Sequence, residues 1–147
     1  MAAVQPPCRA ALQGGAPPFA KIYLYCTMNI IAQIIIAIIA LEHLYILYME
    51  MFAWETLGKK TFKGALPDEL FRPTKTLAAN QGLYNGFLSA GLIWSLLISN
   101  HQWQIYTAIF FLTCVLIAGL YGAFAASKKI FFVQALPALI GIIVVHL

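Results

Sequence analysis

The chain has 147 residues, 62% of them hydrophobic and only 10% charged, with a mean hydropathy of +0.83 and a formal net charge of +4. Soluble domains carry about a quarter charged residues, so this composition excludes an ordinary water-soluble globule, and its high hydrophobicity excludes disorder. Nucleic-acid binding is excluded as well, because the basic residues sit in short connections instead of on one face; the surplus apolar residues are expected to face a lipid bilayer.

In chain order, residues 1–27 come first. Pro6, Pro7, Gly14, Gly15, Pro17 and Pro18 interrupt any regular element, and the segment has neither the apolar core nor the small-residue cleavage site of a secretory signal. Tyr25 is too bulky for a lipoprotein cleavage box before Cys26. Met28 opens the first apolar run, so residues 1–27 are read as a flexible extension upstream of a native start at Met28.

A spanning helix needs roughly 20 apolar residues to cross about 30 Å of hydrocarbon. Four runs meet this, at 29–54, 76–98, 104–126 and 130–147. Short links between spans force antiparallel neighbours, so residues 28–147 are predicted to form one all-α domain, an integral membrane antiparallel four-helix bundle. Lys59, Lys60, Lys63, Arg72 and Lys75 lie in the first connection and Lys128 and Lys129 in the third. Basic residues near span ends are held on the cytoplasmic side. Loops 55–75 and 127–129 are therefore expected in the cytoplasm, with both termini extracytoplasmic, in the cell inner (plasma) membrane. Trp103 and Tyr106 then mark the outer interface and Trp54 the inner one.

Ionisable groups inside lipid cost about 2.5 to 3.5 kcal/mol each, so they normally face protein or water. At about 1.5 Å per residue, Glu50 lies about 6 Å inside the first span, and Glu42 and His43 about 16 to 18 Å inside. Asn80, Gln81, Tyr84 and Asn85 lie roughly 7 to 15 Å into the second span, and Tyr121 and Gln134 about 8 and 6 Å into the third and fourth. Every span thus adds to one layer, which predicts a polar cavity in the cytoplasmic half under an apolar outer lid broken only by Asn29, Gln33 and Thr107. His43, Glu50 and Glu42 are the candidate catalytic groups; Asn80, Gln81, Tyr84, Asn85, Tyr121 and Gln134 are the candidate ligand-binding ones. By helical phase Gln81, Asn85 and Ser89 form one stripe and Asn80 with Tyr84 another, roughly 100 to 140° away.

Small residues recur at helical spacing at Gly82, Gly86 and Ala90, at Gly119 and Ala123, and at Ala118, Gly122 and Ala126. Such stripes let helix backbones approach closely, within the chain or between copies, so the faces of Gly82, Gly86 and Ala90 or of Gly119, Gly122 and Ala126 are candidate homo-oligomer contacts. Pro137 removes a backbone hydrogen bond near Gln134 and is expected to kink the fourth span. No metal site is expected: di-iron bundles use Glu-x-x-His pairs, absent here. Cys8, Cys26 and Cys114 lack zinc or disulfide spacing. No cofactor is implied either, since there is no Gly-rich phosphate loop and no hydrolase or zinc-protease pattern.

Three stretches taken together, Glu42-His43-Leu44-Tyr45-Ile46 with Glu50-Met51-Phe52-Ala53-Trp54, Ala79-Asn80-Gln81-Gly82-Leu83-Tyr84-Asn85-Gly86, and Ala118-Gly119-Leu120-Tyr121-Gly122-Ala123 with Gln134-Ala135-Leu136-Pro137-Ala138, resemble a family of small bacterial inner-membrane proteins known as domain of unknown function thirteen-zero-four. The likeness runs from Met28 to the end. It implies the same architecture and a start matching Met28, and it carries no established activity. A looser likeness is to the membrane-associated eicosanoid and glutathione metabolism proteins, four-helix enzymes that form trimers and bind glutathione near the cytosolic side. Their second helix has a motif of the kind Arg-Ala-x-x-Asn-x-x-Glu. With Asn80 in the Asn place, Thr76 stands for the Arg and Leu83 for the Glu, so only size and depth agree and no function follows.

Three roles are compatible with these residues. In the first, the chain binds, and in an enzyme would also transform, a small amphipathic or lipid-like molecule, with His43 carrying protons and Glu50 or Glu42 as its partner. In the second, the same groups relay protons in a small transporter or channel. The third role is that of a structural subunit of a membrane complex, docked through the small-residue stripes.

Overall fold

A computed structural model describes residues 9–11, 23–25 and 28–147. The reading of residues 1–27 as an extension falls largely outside the described residues, as do Cys8 and Cys26. Two three-residue strands, β1 (Arg9–Ala11) and β2 (Tyr23–Tyr25), pair antiparallel there, an element that the proline and glycine content does not foretell.

From residue 28 onward the fold is helical. Helix α1 (Ile30–Phe52) starts at an Asn29 cap, whose Oδ1 accepts the Ala32 N–H at 2.8 Å, the usual way a short polar side chain satisfies a first-turn amide. The connection that follows holds a π-helical turn at Trp54–Gly58, the one-turn helix α2 (Lys59–Thr61) and a 3-10 turn at Asp68–Leu70. Trp54 organises it. Its ring lies 5.6 Å from Phe62 and 5.1 Å from the buried Phe71, and its Nε1 donates to Thr74 Oγ1 at 3.1 Å.

Helix α3 (Lys75–Leu97) and helix α4 (His101–Ala125) are joined by a tight turn in which Asn100 Oδ1 caps α4 by accepting the Trp103 N–H. His101 is the first residue of α4 and is half-buried. The fourth apolar run is divided: a π-helical segment, Phe131–Ala135, leads into α5 (Leu136–Val145). Here the Leu136 N–H bonds the Phe131 carbonyl, five residues back. The expected effect of Pro137 takes this form because proline has no N–H for the regular pattern and its ring crowds the preceding turn.

Helix α1 packs against α3 and α5, and α4 packs against the same two. The 98–100 turn and residues 28–29 and 146–147 lie at one end, called the turn end; the 53–74 connection and residues 126–130 lie at the other, the loop end. Close approach of α1 and α3 is set by glycine. A Cβ on Gly82 would stand 3.0 Å from Glu50 Cβ and 3.1 Å from the Leu47 carbonyl, and one on Gly86 would strike the Leu47 side chain. On α4, a Cβ on Gly119 would come within 2.7 Å of the Ala135 backbone nitrogen, and Gly122 faces Ile130. These glycines are occupied inside the chain. Of the two faces expected as contacts between copies, Ala90 and Ala126 remain exposed.

The apolar core gathers toward the turn end, where Met28, Ala32, Ile36, Leu92, Ala108, Leu112, Ala138 and Val145 are buried together. Polar side chains tie that end. Asn29 Nδ2 donates to the Val144 carbonyl at 2.8 Å, Gln33 Nε2 donates to the Met28 carbonyl, and Gln104 Oε1 accepts the Met28 N–H at 3.0 Å. Toward the loop end α3 and α4 part. They touch where Gly91 faces the Phe111 ring. Tyr84, Asn80 and Leu77 lie within about 40° of Gly91 around α3, yet all three are exposed, Leu77 by 72%. On α4, Ala118 and Ala125 continue the Phe111 face, and both are exposed. The molecule is thus two antiparallel pairs, α1 with α3 and α4 with α5, joined at the turn end, with the continuing faces of α3 and α4 exposed toward the loop end.

Candidate functional site

The nine residues singled out by sequence divide into a buried or half-buried group, Glu42, His43, Glu50, Asn85 and Gln134, and an exposed one, Asn80, Gln81, Tyr84 and Tyr121. Asn85 and Ser89 share the α3 face that carries Gly82 and Gly86, so they turn toward α1. Asn85 Nδ2 donates to Glu50 Oε2 at 2.9 Å and lies 3.2 Å from the Gln81 carbonyl, and Ser89 Oγ donates to the Ala40 carbonyl at 2.8 Å. Glu50 is 8% exposed and Asn85 7%. This carboxylate is held by one amide, with its aliphatic stem packed against Gly82.

His43 is fully buried two turns from Glu50 on the same side of α1. Its Nδ1 stands 2.9 Å from the Ile39 carbonyl. A carbonyl only accepts, so Nδ1 donates, and Nε2 of the neutral ring is left as an acceptor. That Nε2 and Glu42 Oε1 are buried without a partner among the described residues. Such atoms are rare in folded chains. Helix register places a third group nearby: Gly141 of α5 meets Ile35 and Val144 meets Asn29, which sets Gln134 at the depth of Glu42 and His43. Glu42 lies two turns beyond Ile35, about 20° around the axis, on the side facing α5. Gln134 is half-buried, its Nε2 3.5 Å from the Val115 carbonyl.

Asn80, Gln81, Tyr84 and Tyr121 are exposed, the two tyrosines by 54% and 72%. One enclosed cavity lined by all nine residues is therefore not formed. The two polar stripes of α3 point in different directions: one is spent on α1, while Asn80 and Tyr84 look toward α4 where α4 has moved away. Tyr121 stands at the matching depth on α4. The arrangement offers a buried carboxylate–amide pair, an imidazole and a second carboxyl with unpartnered atoms among the described residues, and the exposed side chains of Asn80, Tyr84 and Tyr121 toward the loop end. Among the described residues, no group of three or more His, Cys, Asp or Glu is placed to hold a metal ion. Sequence reasoning missed the tie that Gln104 makes to Met28; a single glutamine at the start of an apolar run carries no signal of its partner.

A family model described as "Protein of unknown function (DUF1304)" matches residues 37–146. The chain is also similar to the "Uncharacterized protein YpaA" of Lactococcus lactis subsp. lactis (strain IL1403), with 33% identity over 117 residues that cover 79% of this chain and 97% of that protein. No solved structure matches.

Proposed function

From the premise that this chain belongs to the DUF1304 family of proteins of unknown function, we propose that it is a four-helix integral membrane protein that binds a small amphipathic molecule in a cleft between α3 and α4 at the loop end. Support for the membrane comes first from α1 and α4, both long and apolar enough to cross, with only 28% and 22% of their apolar windows buried. A core helix of a soluble protein would hide that surface. Helix α3 and the 131–145 run complete four crossings. The loop end carries Lys59, Lys60, Lys63, Arg72, Lys75, Lys128 and Lys129 and lies in the cytoplasm on this reading. Trp94, Trp103 and Tyr106, all exposed near the turn end, suit the opposite interface.

The observation that carries the binding role is the exposure of Asn80 and Tyr84 on the side of α3 that continues the Gly91 face, with Tyr121 exposed at a similar depth on α4. Polar groups inside a bilayer are costly without partners, whereas a cleft with apolar walls and a few polar groups suits an amphipath. His43 and Glu42 lie at the depth where the cleft closes. Their Nε2 and Oε1 are buried without partners among the described residues, so acid–base chemistry would fall to them on a molecule that reaches this buried layer, while Glu50 is engaged by Asn85. Transport has less support, because the packed layer of Leu92, Leu112 and Ile36 closes the turn end. Docking as a structural subunit has less too, since the glycine stripes are used within the chain.

The test is thermal unfolding of the purified chain in detergent with lysophosphatidylcholine or oleate as probe. A ligand at a hundred times its Kd stabilises by about 2.7 kcal/mol, so the midpoint should rise in the parent chain and in Ser89→Ala, and stay flat in Tyr84→Ala and Tyr121→Ala. Equal rises in all four proteins would overturn the assignment of the cleft, and no rise in any would overturn the binding role.

A further inference from the structure

A second concavity lies away from the polar cluster. Where α4 meets the π-helical segment at the loop end, Leu120, Ala123, Phe124, Phe131 and Phe132 line an open groove of about 390 Å³ with Lys128 at its rim. Phe124 is 92% exposed and Phe132 66%, so the chain itself leaves these rings uncovered. The five acidic side chains of the sequence all lie among the described residues. The ion pairs formed there are Lys59 with Asp68 and Lys75 with Glu55, so the Lys128 ammonium has no carboxylate facing it, and Lys129 adjoins it.

We propose that this groove binds an anionic glycerophospholipid, its acyl chain against Leu120, Phe124 and Phe132 and its phosphate against Lys128. The placement rests on the membrane reading above. On that reading the groove lies in the inner leaflet with its lysine at headgroup depth, where anionic lipids collect against basic residues. Neither half of the groove favours another occupant: a soluble anion gains nothing from three phenyl rings, and a zwitterionic lipid, whose own cation offsets its phosphate, gains less from an unpaired ammonium than an anionic one. The volume falls in the range of sites that hold small ligands.

The experiment is native mass spectrometry of the full chain from micelles containing equal amounts of phosphatidylglycerol and phosphatidylcholine with the same acyl chains, with inorganic phosphate in a separate arm. The parent chain should retain phosphatidylglycerol preferentially and inorganic phosphate not at all. One lysine near an anionic surface is worth about a fivefold preference, so Lys128→Gln should lower the ratio by about that factor. Leu120→Trp, which fills the groove, should reduce both lipid adducts, and Lys63→Gln, on the other cytoplasmic connection, should change nothing. Equal loss in Lys63→Gln and Lys128→Gln would show general surface charge and overturn the site, as would a ratio unchanged by Lys128→Gln or phosphate binding alone. A carbonate wash of the source membranes separates the two readings: release of the chain contradicts the membrane assignment itself, whereas a retained chain without lipid preference contradicts only the groove.

Discussion

Asn85 and Glu50 form the most informative side-chain pair in the molecule. The amide has a second contact, to the Gln81 carbonyl, and the carboxylate has no other partner among the hydrogen bonds described. Removing the donor strands a buried acceptor, which costs about 1 to 3 kcal/mol, whereas exchanging one acceptor for another costs much less. Asn85→Ala should therefore lose about 1 to 3 kcal/mol in denaturant unfolding in micelles, while Glu50→Gln, whose amide oxygen still accepts from Asn85, should stay within about 1 kcal/mol of the parent. Equal losses in the two variants would mean that the carboxylate's charge, and not its role as acceptor, holds the pair. The phase of Asn85 beside Gly82 and Gly86 makes its burial legible in the sequence. The solitary state of His43 Nε2 is not, since it depends on which side chains of three other helices stop short of it.

The helices pack by backbone proximity. Gly119 is the least forgiving case, because an added methyl would meet the backbone of Ala135, and backbone cannot rotate aside as a side chain can. Gly119→Ala should push the π-helical segment off α4 and lower stability by about 1 to 3 kcal/mol. Gly91→Ala meets only the Phe111 ring, whose movable end makes the expected loss smaller; a larger loss at Gly91 than at Gly119 would refute this ordering in the same unfolding assay. Helix positions were readable from the apolar runs: 29–54, 76–98 and 104–126 differ from α1, α3 and α4 by three residues or fewer at either end. The division of the fourth run was less so. Pro137 announces a disturbance, but whether a helix answers with a bend or a widened turn depends on its neighbours, here Gly119 and Gly122 lying against it.

For the whole molecule, depth was easier to read than direction. Spacing along each run predicted that Asn80, Tyr84, Tyr121 and Gln134 lie toward the loop end, and they do; it said nothing of whether α3 and α4 stay together there. Their divergence shows in Gly91 standing against Phe111 while the continuing faces, Tyr84 and Leu77 on α3 and Ala118 and Ala125 on α4, are exposed, and this is a property of a pair of helices. In lipid, burial of apolar side chains gives little drive for helices to associate, so close packing and interhelical bonds of roughly 0.6 kcal/mol each carry more of the load. This accords with the ties at Asn29, Gln104, Asn85 and Ser89. The proposed orientation has the loop end inside and the turn end outside a bilayer, which thiol labelling tests directly. With Cys8, Cys26 and Cys114 replaced by serine, single cysteines at Lys63 and Gln102, both exposed, are treated in intact cells with a membrane-impermeant maleimide. The account predicts that Gln102→Cys is modified at once and Lys63→Cys only after permeabilisation; modification of both from the same side would contradict it.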